Sequence, residues 1–299
     1  MKFAFSTQSY KGDFRECKLL CESLDRFAPG IEHFIFVNDE DYLLFRSLNY
    51  SQHKVHKKSE CTPWYFFRFP FKILDHFFWV SPFTFPMRGW IYQQICKLAI
   101  FDVIGDSYDF IINMDSEVIM IKPFDLNSVY KGGKFKLYRN IATGADPYRG
   151  KYIRSIQKFF KGSFPQEEMY KYGYMDITTI FVRENIQDML SEIQKNSPYW
   201  NWRLWMANTI KFSEFYTYGN YVVYGLNLRN HYLTENLDVQ LIEYETHIEK
   251  KSMDMLMEKI ENDPSKTYLW VQKIRHVKNN TDDFFSEIED YFHKRWNIK

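Results

Sequence analysis

The sequence predicts a mixed α/β fold: a mostly parallel sheet flanked by helices, with a helical elaboration at its C-terminal end. Three observations predict it. The first half alternates short apolar runs with segments of helical period, as βαβ units do. The strongest apolar run, Tyr108–Met114, ends in an acidic turn and resumes at once. The chain has 299 residues, 45% of them hydrophobic, so one large core needs no staples.

The elements follow in order. Lys2–Ser6 reads as a first strand. Asp13 then precedes a helix whose apolar positions Phe14, Cys17, Leu20, Cys21, Leu24 and Phe27 keep helical spacing, and Pro29-Gly30 stops it. His33–Val37 is the second strand, with Asn38-Asp39 at its carboxyl end, and Asp41–Leu48 is a short helix. Ser59–Arg88 holds four prolines among many aromatics and keeps no period, so an irregular or partly helical excursion is expected. Helical spacing returns over Gly89–Ile104. Tyr108–Met114 is a strand, and Val118–Ile121 is an extended run closed by Pro123. Later, Lys134–Tyr138, Ile177–Val182 and Lys266–Ile274 read as strands. Glu184–Gln194, Asn201–Ile210, Ser213–Val223, Glu249–Glu261 and Asp282–Trp296 read as helices. The expected division is a core over residues 1–230 and an elaboration over 231–299 packed on it.

Composition removes several function classes. A net charge of +1 leaves nothing to neutralise a phosphate backbone, so no nucleic-acid partner is expected. The four cysteines make no disulfide framework. Cys17 and Cys21 lie four apart on a helix, and no second pair completes a zinc-type spacing; reduced, buried thiols and a cytoplasmic location are expected. The N-terminal apolar run turns polar too soon for a signal peptide, and no run approaches the ~20 residues that span a bilayer. The last helix carries Phe284, Phe285, Ile288, Tyr291, Phe292 and Trp296, with Lys294, Arg295 and Lys299 near its end. That mixture suits peripheral contact with the inner face of a membrane, or else packing on the domain.

Asp115-Ser116-Glu117 is the sharpest chemical signal. Residues i and i+2 of an extended chain point the same way, so both carboxylates can face one hard divalent cation. Strand ends of this kind are where ligands bind open α/β sheets. Trp90, Gln94 and Lys97 share one helical face, with Arg88 at the helix entry where anions are favoured. That face suits a phosphate or a sugar hydroxyl, and Lys97 is expected to serve binding with little effect on stability.

The ordered set resembles the GT-A class of nucleotide-sugar glycosyltransferases. More narrowly, it is similar to bacterial surface-polysaccharide glycosyltransferase-like proteins. Those combine a Gly-Trp-x-x-Gln-Gln…Lys helix, here Gly89–Leu98, a downstream acidic motif, and a Ser-Glu-aromatic segment, here Ser213-Glu214-Phe215. The resemblance covers roughly residues 1 to 225. It implies a nucleotide-sugar donor, a glycan or lipid-linked acceptor, and manganese or magnesium held by Asp115 and Glu117, with His276 as a third ligand. It places Thr7, Asp39, Arg88, Gln94, Lys97, Asp115 and Ser116 at the donor. Glu214 is the expected general base, with Asp176 the second candidate for catalysis or acceptor binding. A sugar-nucleotide nucleotidyltransferase and a non-catalytic carbohydrate-binding protein remain alternatives. The first needs a glycine-rich loop after the first strand, where this chain has the single Gly12.

Overall fold

The structure is a computed structural model; it describes residues 1–72, 77–142, 147–209, 211–243, 250–272 and 281–298. The chain opens with β1 (Phe3–Gln8), a helix over Phe14–Phe27, β2 (His33–Val37) and β3 (His53–Lys57). β4 (Phe67–Arg68), β5 (Phe78–Ser81) and β6 (Thr84–Arg88) follow, leading straight into the Gly89–Leu98 helix. Next come β7 (Phe110–Asp115), β8 (Val118–Met120), β9 (Tyr130–Lys131), β10 (Lys134–Tyr138) and β11 (Asn140–Ile141). The helix Arg149–Phe159 precedes β12 (Tyr172–Gly173) and β13 (Ile180–Val182), and three helices follow: Arg183–Asn196, Trp202–Ala207 and Glu214–Asn220. β14 (His231–Thr234), β15 (Val239–Glu243), the helix Lys250–Asn262, β16 (Tyr268–Gln272) and the helix Thr281–Trp296 complete it.

The central sheet has the order β13-β7-β1-β2-β3. β7, β1, β2 and β3 run parallel and only β13 is antiparallel. Period-two alternation builds a layer on each face. Phe5, Ile112 and Met114 pack to one side; Ala4, Phe34, Phe36 and Ile111 pack to the other, against Ile91, Ile95 and the later helices. The mixed α/β reading therefore holds. Strand order reverses between β1 and β7: β2 and β3 extend from one side of β1, and β7 lies on the other. That reversal opens a crevice at the carboxyl ends of the two strands.

The structure corrects several element readings. Ser59–Arg88 is not simply irregular, because β4, β5 and β6 form a small antiparallel sheet. Its strands are short, Pro86 sits on the edge strand β6, and a register shift lies between Trp79 and Ser81, so no clean period survives. β3 went unread because His-Lys-Val-His-Lys is polar, as an edge strand permits. The Gly89–Ile104 helix breaks at Ala99, and the helix at Glu214 ends in a π-helical turn over Tyr221–Gly225. The segment after residue 231 is woven into other sheets: β14 pairs with β10, and β16 joins β15 to β8.

The last helix faces the domain. Phe285, Ile288, Phe292 and Trp296 are buried with Leu19, Ile119 and Leu269. Arg15 pairs with Glu289, and His293 Nε2 lies 2.9 Å from Glu22. Tyr291 is half-buried, and the side chain of Phe284 and Lys299 lie outside the described residues. Of the two expectations for that helix, packing on the domain is the one seen, and its aromatics close a core. Among the described residues, no helix is long and apolar enough to cross a membrane.

Candidate functional site

A cleft of about 890 Å³ opens at the carboxyl ends of the parallel strands, within the size range of ligand sites. All four parallel strands contribute the residues at their exits: Gln8 and Ser9 from β1, Asn38 from β2, Lys58 from β3, and Asp115, Ser116 and Glu117 from β7. Register sets Gln8 directly beside Asp115. The small antiparallel sheet adds Trp79 and Arg88, and β15 and β16 add Val239 and Trp270.

The Gly89–Leu98 helix supplies a wall. A Cβ on Gly89 would stand 2.9 Å from Trp79, whose ring stacks on Tyr92 at 4.8 Å, so the glycine lets helix and sheet meet. Arg88 is exposed at the lip, just before the helix. Further along, Lys97 points into the cleft floor. Its Nζ is 3.2 Å from Asp115 Oδ1 and 2.9 Å from Glu214 Oε1, and the residue is only 4% exposed. Burial disfavours its charge, but the two carboxylates outweigh burial and raise its pKa above the ordinary lysine value.

Glu214 starts its helix after Ser213, whose hydroxyl accepts from the Tyr216 N–H at 3.5 Å. It is 1% exposed. Burial raises its pKa, Asp115 adds to that rise, and Lys97 opposes it. The Gln94 amide faces the same carboxylate; with its nitrogen turned toward Glu214 it donates to Oε1 at 3.0 Å, the orientation the local network favours. Gly219, on the same helix, leaves no room for a Cβ, which would stand 2.4 Å from the Tyr174 ring. That close approach draws the helix carrying Glu214 against the segment carrying Asp176. Asp176 is buried and lines the cleft, its Oδ1 accepting from the Thr178 N–H and hydroxyl, each at 3.0 Å. Burial raises its pKa and nearby Asp238 adds to that, while Lys136 opposes it.

On the acidic turn, the Trp270 indole donates to Glu117 Oε2 at 3.4 Å, and the Ser116 hydroxyl donates to Asp13 Oδ2 at 3.4 Å. Asp115 and Glu117 both face the cleft, as the i, i+2 spacing requires. Among the described residues no third carboxylate, imidazole or thiol converges on them. Carboxylate oxygens are the donor type that hard divalent cations take, and Asp115 already pairs with Lys97. His276 lies outside the described residues.

Eight expected residues meet in this cleft: Arg88, Gln94, Lys97, Asp115, Ser116, Glu117, Asp176 and Glu214. Two do not. Thr7 points away from it and its hydroxyl lies 2.9 Å from His33 Nε2, while Asp39 is exposed and accepts from the Ser59 hydroxyl at 2.7 Å. Strand parity explains the first, since the next residue, Gln8, is the one that faces the cleft. Gln8 was the missed signal. Its amide is buried with neither oxygen nor nitrogen paired, and the neighbouring Ser9 hydroxyl is also unpaired, as expected where a ligand completes the bonding. Lys58 was missed as well; its Nζ donates to the Ser9 carbonyl at 2.8 Å, and burial lowers its pKa.

Fold and cleft together define a mixed α/β protein with a cleft at the switch point of its parallel sheet. The chain belongs to DUF6492, a family of unknown function, whose profile matches residues 3–294. No curated protein matches the chain. Solved structures with some similarity include an active-site mutant of LgtC, with a TM-score of 0.44 and 12% identity over 97% of this chain and 96% of that one. Another is the galactosyltransferase LgtC with donor and acceptor sugar analogs, at TM-score 0.45 and 12% identity over 97% and 96%. A third is mouse xyloside xylosyltransferase 1 in its apo form, at TM-score 0.44 and 9% identity over 90% and 97%.

Proposed function

We propose that this protein is a GT-A-type glycosyltransferase that moves a sugar from a nucleotide-diphosphate donor to an acceptor hydroxyl. One observation carries the reading: the carboxyl ends of four parallel strands meet in one cleft, which gathers paired carboxylates, buried cations and unpaired polar atoms. Asp115 and Glu117 would hold manganese or magnesium, which supplies charge neutralisation for a leaving diphosphate. Gln8, Ser9 and Arg88 bind and orient the donor. Lys97 keeps Asp115 and Glu214 in fixed relation.

Glu214 is the proposed general base. It takes the acceptor's hydroxyl proton as that oxygen bonds to the anomeric carbon and the bond from that carbon to the diphosphate breaks; a pKa raised by burial suits this task. Asp176 is the second candidate. For the acceptor we propose a glycan or lipid-linked sugar of a bacterial surface polysaccharide, met in the cytoplasm or at the inner face of a membrane. In support, the sheet that brings Trp79 to the cleft turns Phe67 and Phe85 to solvent, and Trp64 and Trp200 are exposed as well. One observation favours the non-catalytic alternative: Lys97 already neutralises both Asp115 and Glu214. A thermal-shift panel of nucleoside diphosphates and sugar nucleotides, with and without manganese, tests the reading. A ligand that binds the folded chain raises the melting temperature; no shift with any of them contradicts it.

A further inference from the structure

Away from the cleft, at the opposite end of the sheet, three metal-ligating side chains converge. His33 and His53 begin β2 and β3 and face each other in register. Cys21 reaches them from the Phe14–Phe27 helix. His33 Nδ1 lies 3.1 Å from His53 Nδ1 and 4.0 Å from Cys21 Sγ, and all three residues are buried. We propose that Cys21, His33 and His53 bind a structural zinc ion, independently of any chemistry in the cleft.

Geometry supports this first. Zinc bonds of about 2.0–2.1 Å to nitrogen and 2.3 Å to sulfur set tetrahedral edges of about 3.3 Å for N···N and 3.6 Å for N···S. The observed separations bracket those edges, so small rotations of the side chains complete the site. The outer shell supports it next. His53 Nε2 lies 3.1 Å from Asp25 Oδ1, and His33 Nε2 lies 2.9 Å from Thr7 Oγ1. Imidazoles that bind metal through one nitrogen commonly anchor the other in this way, often on a carboxylate.

Charge agrees as well. Binding deprotonates the Cys21 thiol and releases that proton to solvent; His33 keeps its proton on Nε2, turned toward Thr7, and His53 keeps its own toward Asp25. One thiolate and one adjacent carboxylate then balance a doubly charged ion in a buried place, where an unbalanced charge is costly. The converging set is Cys21, His33 and His53, and the fourth tetrahedral position falls to water.

The test begins with metal content. Full-length protein dialysed against EDTA is expected to keep about one zinc per chain by mass spectrometry, and Cys21→Ser and His53→Ala are expected to lose it. Because both substitutions fall in the buried interior, wild-type protein is also stripped and reloaded with cobalt alone. Intense tetrahedral bands with a thiolate charge-transfer absorption are expected. A chain free of zinc that takes up cobalt without that absorption overturns the site, leaving a hydrogen-bonded histidine pair. Zinc content unchanged by Cys21→Ser in folded protein overturns it equally.

Discussion

Lys97 bridges Asp115 and Glu214 while almost wholly buried, and this alters what its removal should do. A lysine on a solvated helix face leaves stability alone when replaced. Here Lys97→Met strands a buried carboxylate, a loss of about 3 kcal/mol, measurable by urea unfolding. The loss should shrink as pH falls, because a protonated Glu214 no longer needs a partner. Glu214→Gln tests the proposed base directly: nucleotide affinity should persist while turnover falls on the order of 10²–10⁴-fold. Since burial raises its pKa, wild-type activity should fade on the acid side at a higher pH than an ordinary glutamate gives. That limb should vanish in the variant. Most of these residues were legible because short local patterns mark them: an i, i+2 acidic pair, a helical face, a capped helix start. Gln8 was not, because nothing in Ser6-Thr7-Gln8 says which of two neighbours faces the cleft until the strand is registered on β7.

Elements position the site through close approaches that sequence pattern barely marks. The Gly89–Leu98 helix lies on β5 with the Trp79 ring against Gly89. Gly89→Ala must displace a ring already stacked on Tyr92, and a cost of about 1–3 kcal/mol is expected, read as a lower urea midpoint with an unchanged slope. Parallel strands were legible as continuous apolar runs, since both of their faces are covered. The small β4–β6 sheet and the polar edge strand β3 were not, because edge and hairpin strands carry no such run. The same holds for β15, which reaches the cleft through Val239 and Leu241 although nothing in its local sequence ties it to a ligand site.

At the scale of the whole molecule, the C-terminal segment belongs to the fold's mechanics. Phe292 is fully buried beside Leu19 and Leu269, so Phe292→Ala is expected to cost about 3–5 kcal/mol, seen as a clear drop in melting temperature. An aromatic helix with basic residues reads alike from sequence whether it meets a membrane or a core; only the position of the Phe14–Phe27 helix and of β16 decides. Four parallel strands, the switch between β1 and β7, and the segment after residue 231 together build one cleft, and the central claim is that this cleft holds a nucleoside diphosphate through a cation on Asp115 and Glu117. Isothermal calorimetry of nucleoside diphosphates with manganese, with EDTA, and with Asp115→Ala tests it most directly. Binding that requires manganese and weakens at least about tenfold in the variant is the expected result, since even outer-shell changes at metal sites cost that much. Binding undiminished by EDTA and by Asp115→Ala would contradict it.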